Sequence, residues 1–588
     1  MTQQVDAAPS ALKECDLVMK GGVTSGVVYP YAVLALAESY RFRSIGGASA
    51  GAIAAAFAAA AEFARQRGDT EGFARFKSRC DEIPERLGGL FQANGVFKPL
   101  FAAALALVGD ARPVAKALGV AGALWRPLAQ GAAAGALLYA LLALVPLLSQ
   151  PGWATVALAL VGLCASAVVG AVLSLVLWLV RRVARDLPKA DFGLCSGLAD
   201  PGQTAPVLTE WLHQSLQFIA FGPGEHPPLT FGDLRKVGLK AAQLKAGEVA
   251  IDLKMMTTNL SIGRPHVLPN FDLDLFYQPD EWSRLFPAAI VEHMAGVTIG
   301  AEPGGGRRRL PGADDLPVLV GVRMSLSFPI LFRAVPLHML DRSLVAEGVE
   351  GASTSWRRLL FSDGGITSNF PIHFFDSLLP LRPTFALSLD KRPADAGEAP
   401  RVRMPANTSQ GAFSPIKDIA SLGAFAGSIL GAAKDWQDEL QSTMPGQRSR
   451  VVRVQLDANE GGLNLNMPIE RSRRLMGYGR EAGELMKSFD FDRHRYARTL
   501  VAYPALERLM REFDAEWRVL GPWFSSYKNK AGDYKDVRAP ALAKIRSRLD
   551  ALAAFTATFS PGLTRSTRFP RKPGRLRIRP ILDRGEET

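Results

Sequence analysis

Apolar positions in this chain follow two different regimes. From 127 to 180 there are 54 consecutive residues without Asp, Glu, Lys or Arg. A helix crossing the hydrocarbon core of a bilayer needs about 20 apolar residues. Two stretches fit, 131–148 (GAAAGALLYALLALVPLL) and 153–180 (WATVALALVGLCASAVVGAVLSLVLWLV). The SQPG between them, 149–152, is turn chemistry with a proline that interrupts a continuous helix. Gly131, Gly135, Gly162, Ser166 and Gly170 allow close helix approach. The pattern predicts a transmembrane hairpin. Its alternative is a pair of buried helices in a soluble domain, but soluble helices rarely lack a polar stripe over such a length. The apolar run 100–108 is too short to span and reads as a core or interfacial helix.

Outside that run the apolar segments are short and alternate in type. DLVMKGG (16–22) reads as a buried strand ending in a glycine loop, and RFRSIGGASAG (41–51) as a second strand ending in a sharp turn. AIAAAFAAAAEFARQ (52–66) has helix composition. TEWLHQSLQFIA (209–220) is an amphipathic helix, while EVAIDLKMMTTNL (248–260), PVLVGVRMSLS (317–327) and TFALSLD (384–390) are strand candidates. WRRLLFSDGG (356–365) runs from strand to turn, and 302–315 (EPGGGRRRLPGADD) is a surface loop. Strands alternating with helices predict an α/β fold with a parallel sheet. Beyond residue 401 helical patterns dominate, as in 414–441 and 541–555. The expected divisions are 1–96, an inserted region 97–190, 191–400, a mainly helical 401–562 and a basic tail 563–588.

Charge adds a partner class. The 588 residues hold 69 Lys and Arg against 56 Asp and Glu, a net +13, so an anionic partner is expected, either nucleic acid or an anionic membrane. Lys116 and Arg126 precede the hairpin and Arg181, Arg182 and Arg185 follow it, which puts both ends on the cytoplasmic side. From Arg565 to Arg584 the tail carries Arg565, Arg568, Arg571, Lys572, Arg575, Arg577, Arg579 and Arg584 against Asp583, a composition that can grip anionic headgroups. Phe569 is its one aromatic, so no nucleic acid is expected. The first residues lack the apolar core of a secretory signal, and Cys15, Cys80, Cys164 and Cys195 show no metal or disulfide spacing. These features predict a multi-pass protein of a bacterial inner membrane with its globular part in the cytoplasm, free thiols and no metal or other cofactor.

Candidate chemistry lies in three short motifs: KGGVTSG (20–26), GASAG (47–51) and SDGG (362–365). Acyl transfer needs an activated hydroxyl, a base, and donors aimed at the developing oxyanion. Gly47-Ala48-Ser49-Ala50-Gly51 matches the G-x-S-x-G elbow, which exposes a serine at a strand-to-helix turn with the Ala50 amide beside it. Gly21 and Gly22 can bring free amides close, and Asp363, followed by Gly364 and Gly365, can serve as base. A histidine base fits poorly. The elbow comes too early for the Ser-Asp-His order of α/β-hydrolases, and of the histidines beyond Asp363, His373 follows by only ten residues while His494 lies in a charged helical stretch.

With these motifs in this order, the chain resembles the patatin-like phospholipases, which carry a glycine-rich loop, a G-x-S-x-G and a downstream D-G-[GA]. MSLSFPILFRAV and DGGITSNFPI also look like that family's approach to its aspartate and the asparagine-proline turn beyond it. The resemblance covers about residues 16–391, with the hairpin as an insertion. It implies a three-layer α/β/α fold with a central mostly parallel sheet and a lipid acyl hydrolase with a Ser-Asp dyad, here Ser49 and Asp363. Gly21, Gly22, Val23 and Ala50 would surround the oxyanion, with Gly26, Gly47, Gly51, Gly364 and Gly365 as motif glycines. Val23 stands where the family has a third glycine and Ser25 where it has a basic residue, so an inactive membrane scaffold on the same fold is the alternative. Membrane phospholipids or other acyl lipids are the expected partners.

Overall fold

A computed structural model describes residues 12–22, 24–107, 112–149, 152–298, 304–346, 349, 353–393, 396–405, 419–444, 446–457, 459–462, 464–465, 467–526 and 539–559. Its strands are β1 (Lys13–Met19), β2 (Tyr40–Gly47), β3 (Gly193–Cys195), β4 (Asp252–Asn259), β5 (Arg264–Leu268), β6 (Phe276–Tyr277) and β7 (Arg308–Arg309). They continue with β8 (Ile330–Phe332), β9 (Val335–Asp341), β10 (Ser355–Asp363), β11 (Thr384–Lys391), β12 (Val402–Arg403) and β13 (Val451–Leu456).

One sheet runs in the order β12-β13-β11-β1-β2-β4-β10-β9-β6-β7, with β5 added on β4. The five strands from β13 to β4 are parallel, and the flanking strands are antiparallel. Parallel strands covered on both faces read as continuous apolar runs, and β1 is buried from Cys15 through Met19. β3 and β8 form a separate parallel pair.

The helix Ala50–Gln66 is buried over nearly its whole length, because its alanines leave no side chain bulky enough to hold it off its neighbours. Phe57 packs on Trp211 and Phe63 on Phe221, both on the helix Leu208–Phe221. Each such aromatic contributes about 2–3 kcal/mol by leaving water. Glu62, fully buried, accepts the Phe42 amide at 3.2 Å and pairs with Arg65, so its charge is compensated.

The segment 317–327, expected as a strand, is the helix Val318–Ser325 led by Pro317. Every residue of that helix is buried. A short apolar stretch enclosed on all sides has no polar positions to reveal its period, and its β-branched valines argued for the wrong element.

Beyond residue 401 the chain is largely helical, with Leu422–Thr443, Ile469–Lys487, Phe491–Ser526 and Ala539–Thr556. It also returns to the sheet, since β13 lies parallel beside β11 and β12 closes that edge. Ile469–Lys487 packs on the helix Tyr29–Ala37, where Gly479 faces the Val28 carbonyl and Gly483 faces Ala35. The basic tail from 565 lies outside the described residues. Within the expected loop 302–315, Arg308–Arg309 pairs with β6.

The hairpin consists of Trp125–Ser149 and a second helix that begins at Trp153 and runs to Lys189 through one π turn at Arg182–Asp186. Both are long and apolar enough to cross a membrane. They meet at their small residues: a Cβ on Gly131 would lie 2.2 Å from the Gly170 carbonyl. Their leucines and valines face outward, and no residue of Trp153–Arg181 is buried by the rest of the chain. The alternative of two helices buried in a soluble domain therefore has no support in the packing. Gln150 and Pro151 of the intervening turn lie outside the described residues. The run 100–108 falls on the helix Lys98–Leu107, of which only Ala103 is buried.

Candidate active site

β2 ends at Gly47, and the chain turns through Ala48 and Ser49 directly into the helix Ala50–Gln66. Ser49 sits at φ 53°, ψ −126°, a conformation L-residues seldom adopt. Such strain at a non-glycine residue costs about 1–3 kcal/mol and persists only where surrounding packing enforces it. Gly51 permits the turn, because a Cβ there would lie 2.5 Å from the Met19 carbonyl.

Asp363 ends β10. Its Oδ1 accepts the Gly365 amide at 2.7 Å, capping the short turn Gly364–Ile366. β4 lies between the two residues in the sheet: Gly47 pairs with Met255, and Asp363 with Thr257 two positions on. Adjacent strands are about 4.8 Å apart, so the ends of β2 and β10, which run in opposite directions, meet at nearly the same level along β4 with that one strand between their backbones. Ser49 and Asp363 are each 3% exposed.

The end of the helix Val318–Ser325 bridges the pair. Ser325 Oγ accepts the Ser49 amide at 3.1 Å, while the Ser327 carbonyl accepts the Asp363 amide at 2.9 Å and the Ser362 hydroxyl at 2.7 Å. Arg323, 1% exposed, holds Ser327 in turn: it donates to Ser327 Oγ at 2.6 Å and to the carbonyls of Ser196 and Arg333 at 3.1 and 3.0 Å. Burial pushes its pKa down to about 9.

The glycine loop 20–26 lies against both turns. Gly21 donates its amide to the Asn369 carbonyl at 2.6 Å, and a Cβ on Gly21 would collide with the Asn369 carboxamide. The Gly22 carbonyl accepts both the Ser49 hydroxyl at 3.1 Å and the Ala50 amide at 3.3 Å. Two of the four amides expected around an oxyanion, those of Gly21 and Ala50, are thus engaged by the protein itself. Val23 lies outside the described residues. Ser25 and Gly26 fall in the 3-10 turn Thr24–Val28, whose first residue donates to the Gly462 carbonyl through both its amide and its hydroxyl, at 3.3 and 3.1 Å.

Lys20 starts the loop and pairs with Asp390 at 3.1 Å; Arg453 of β13 pairs with the same carboxylate at 2.7 Å. Burial favours the protonated form of Asp390, but the two cations outweigh it and hold the carboxyl well below the usual carboxylate range. Asp438, on Leu422–Thr443, accepts the Ser368 hydroxyl at 3.0 Å and the Phe370 amide at 2.8 Å, clamping the loop that carries Asn369.

Sequence motifs therefore mark Ser49, Asp363 and the glycines, which the fold brings to nearly one level of the sheet on either side of β4. They miss Ser325, Ser327, Arg323, Asn369 and Asp438. The MSLS and SNFP stretches carried a signal for the serines and Asn369, but nothing in the pattern distinguishes Asp438 from any other helix-surface acid. Among the described residues no group of three or more His, Cys, Asp or Glu could hold a metal ion.

Comparison with known proteins identifies the family. The family model described as patatin-like phospholipase matches residues 17–106. A protein of Rhizobium meliloti (strain 1021) named RpoH suppressor is 36% identical over 602 residues, covering 91% of this chain and 90% of the relative. The crystal structure of VipD from Legionella pneumophila aligns over 93% of this chain and 86% of its own, at 13% identity and a TM-score of 0.28. At that score the fold rests on the topology described above.

Proposed function

This chain belongs to the patatin-like phospholipase family, and on that premise we propose that it is a membrane-anchored lipid acyl hydrolase of the phospholipase A or lysophospholipase type, working through Ser49 and Asp363. Asp363 takes the Ser49 proton as Oγ attacks the acyl carbonyl. The tetrahedral oxyanion is stabilised by amides of the 21–23 loop and by Ala50, and collapse expels the alcohol with its proton to form an acyl-serine. Water, deprotonated by Asp363, then releases the fatty acid and restores the serine.

One observation supports this reading above the others: a strained, buried serine at a strand-to-helix turn and a capped aspartate lie at nearly the same level on either side of a single strand. In the resting geometry the Gly22 carbonyl occupies both the nucleophile's hydroxyl and the Ala50 amide. An arriving ester displaces that carbonyl and frees both. The hairpin holds the site at a bilayer surface where substrate is concentrated, the sheet and its covering helices form the family's three layers, and the cytoplasm is the side on which both hairpin ends lie.

Ser49→Ala and Asp363→Asn are each expected to lower fatty-acid release from mixed lipid vesicles by about a thousandfold or more, read by mass spectrometry of the products. Unchanged release in either variant overturns the dyad. An inactive scaffold is the second reading, favoured by the engaged Gly21 and Ala50 amides. Labelling of Ser49 by a fluorophosphonate separates the two, since a scaffold stays unlabelled.

A further inference from the structure

The second hairpin helix does not stop where its apolar stretch ends. From Arg181 it continues through Lys189 before the chain turns at Asp191 and Phe192, both at positive φ, into β3. Eight residues of helix advance about 12 Å, and a headgroup layer is about 5–8 Å thick on each side of the hydrocarbon core. The base of this helix therefore comes down about 4–7 Å past the headgroups, a gap that long basic side chains can span.

A cavity of about 240 Å³ opens at that base, lined by Lys189, Asp191, Glu281, Arg284, Arg333 and Arg358, with Pro188 and Leu285. Four cations thus face two carboxylates. Both carboxylates are already taken: Arg358 pairs with Asp191 at 2.7 Å and with Glu281 at 2.8 Å, and Glu281 also meets His338 Nε2 at 2.8 Å. Lys189, Arg284 and Arg333 form no ion pair among the described residues. Arg333 is the most telling, because its Nε is enclosed and has no hydrogen-bond partner among the described residues. Burial lowers its pKa, Asp191 opposes that shift, and the positive charge of Arg284 adds to it more weakly. Arg333, partly buried with an unpartnered Nε, and the exposed Arg284 face a cavity whose lining carries four cations against two carboxylates, an excess of positive charge that an anion would complete. Guanidinium pairs bind phosphate oxygens through parallel N–H···O bonds, and a phosphomonoester brings the two negative charges that the lining lacks.

We propose that this cavity binds a phosphoryl group, held by Arg284 and Arg333 with Lys189 at its mouth, and that on the membrane the group belongs to an anionic lipid headgroup. The anion site stands on its own lining. Only the lipid as its source rests on the membrane reading.

The test uses full-length protein in neutral detergent, in the Ser49→Ala background so that bound lipid is not turned over. Native mass spectrometry reads retention of phosphatidic acid against phosphatidylcholine, and thermal shift reads binding of inorganic phosphate. Phosphatidic acid is expected to be retained at a concentration at least tenfold lower than phosphatidylcholine, with Arg284→Gln and Arg333→Gln each weakening that retention about tenfold. Arg284 is exposed, so its variant folds even if Arg333→Gln does not. Equal binding of inorganic phosphate and phosphatidic acid, lost together in the variants, keeps the anion site and overturns the lipid as its source. Retention that ignores both substitutions, or an absence of binding by either probe, overturns the site itself. None of these outcomes depends on whether Ser49 is a nucleophile.

Discussion

Ser49 owes its position to backbone strain rather than to side-chain bonds alone. Its φ of 53° is held by the Ser325 hydroxyl on its amide and by the Gly22 carbonyl on its hydroxyl. Glycine adopts this region without steric cost, whereas alanine keeps the strain and loses the hydroxyl. Ser49→Gly is therefore expected to be more stable than Ser49→Ala by about 1 kcal/mol in denaturant unfolding, with neither variant expected to release fatty acid. A second residue sets a pH dependence. Burial first, then the neighbouring charges of Arg450 and Arg498, push the pKa of His494 down to about 3, while its ring meets Ser449 Oγ at 3.0 Å. In the unfolded chain it titrates near 6.5. Between those values the unfolded state binds a proton that the native state refuses, so the contribution is complete above pH 6.5 and is lost as pH falls toward 3, by up to about 1.4 kcal/mol per pH unit. His494→Gln is expected to flatten the pH 4 to 6.5 limb of stability measured by chemical denaturation.

Elements explain which parts of this arrangement could be read from residues alone. The strands entering the serine and aspartate turns were legible because their apolar runs stop abruptly at glycines, and the hairpin because 54 residues without charge have few other uses. The helix Val318–Ser325 was not, since enclosure on every side erases the polar positions that mark a period. Equally hidden was the return of 451–456 to the sheet, an isolated six-residue strand embedded among helical patterns. The role of Leu422–Thr443 was invisible for another reason: it acts through one buried carboxylate, Asp438, whose partners Ser368 and Phe370 lie about 70 positions earlier. Asp438→Ala leaves an amide and a hydroxyl without an acceptor, at a cost of about 1–3 kcal/mol. Because those groups position the Asn369 loop against Gly21, kcat for ester hydrolysis is expected to fall about tenfold with little change in KM. Equal losses in a soluble aryl ester and a vesicle substrate would trace the defect to chemistry rather than to membrane contact.

At the scale of the whole molecule the glycine loop is a meeting point of distant sequence. Thr24 hangs on Gly462, and Lys20 on Asp390, which Arg453 also grips. The helices 125–149 and 153–189 stand between those partners in the chain. Ribosomes deliver the polypeptide from its first residue onward, so the hairpin emerges well before β13 and the 459–462 turn exist. Nascent chains truncated at residue 440 are expected to sediment with membranes yet resist fluorophosphonate, whereas chains completed through 526 react. If the proposed function holds, a lipase that acquires its cutting edge only after being moored would never be loose, half-made and competent, inside the cell that synthesises it.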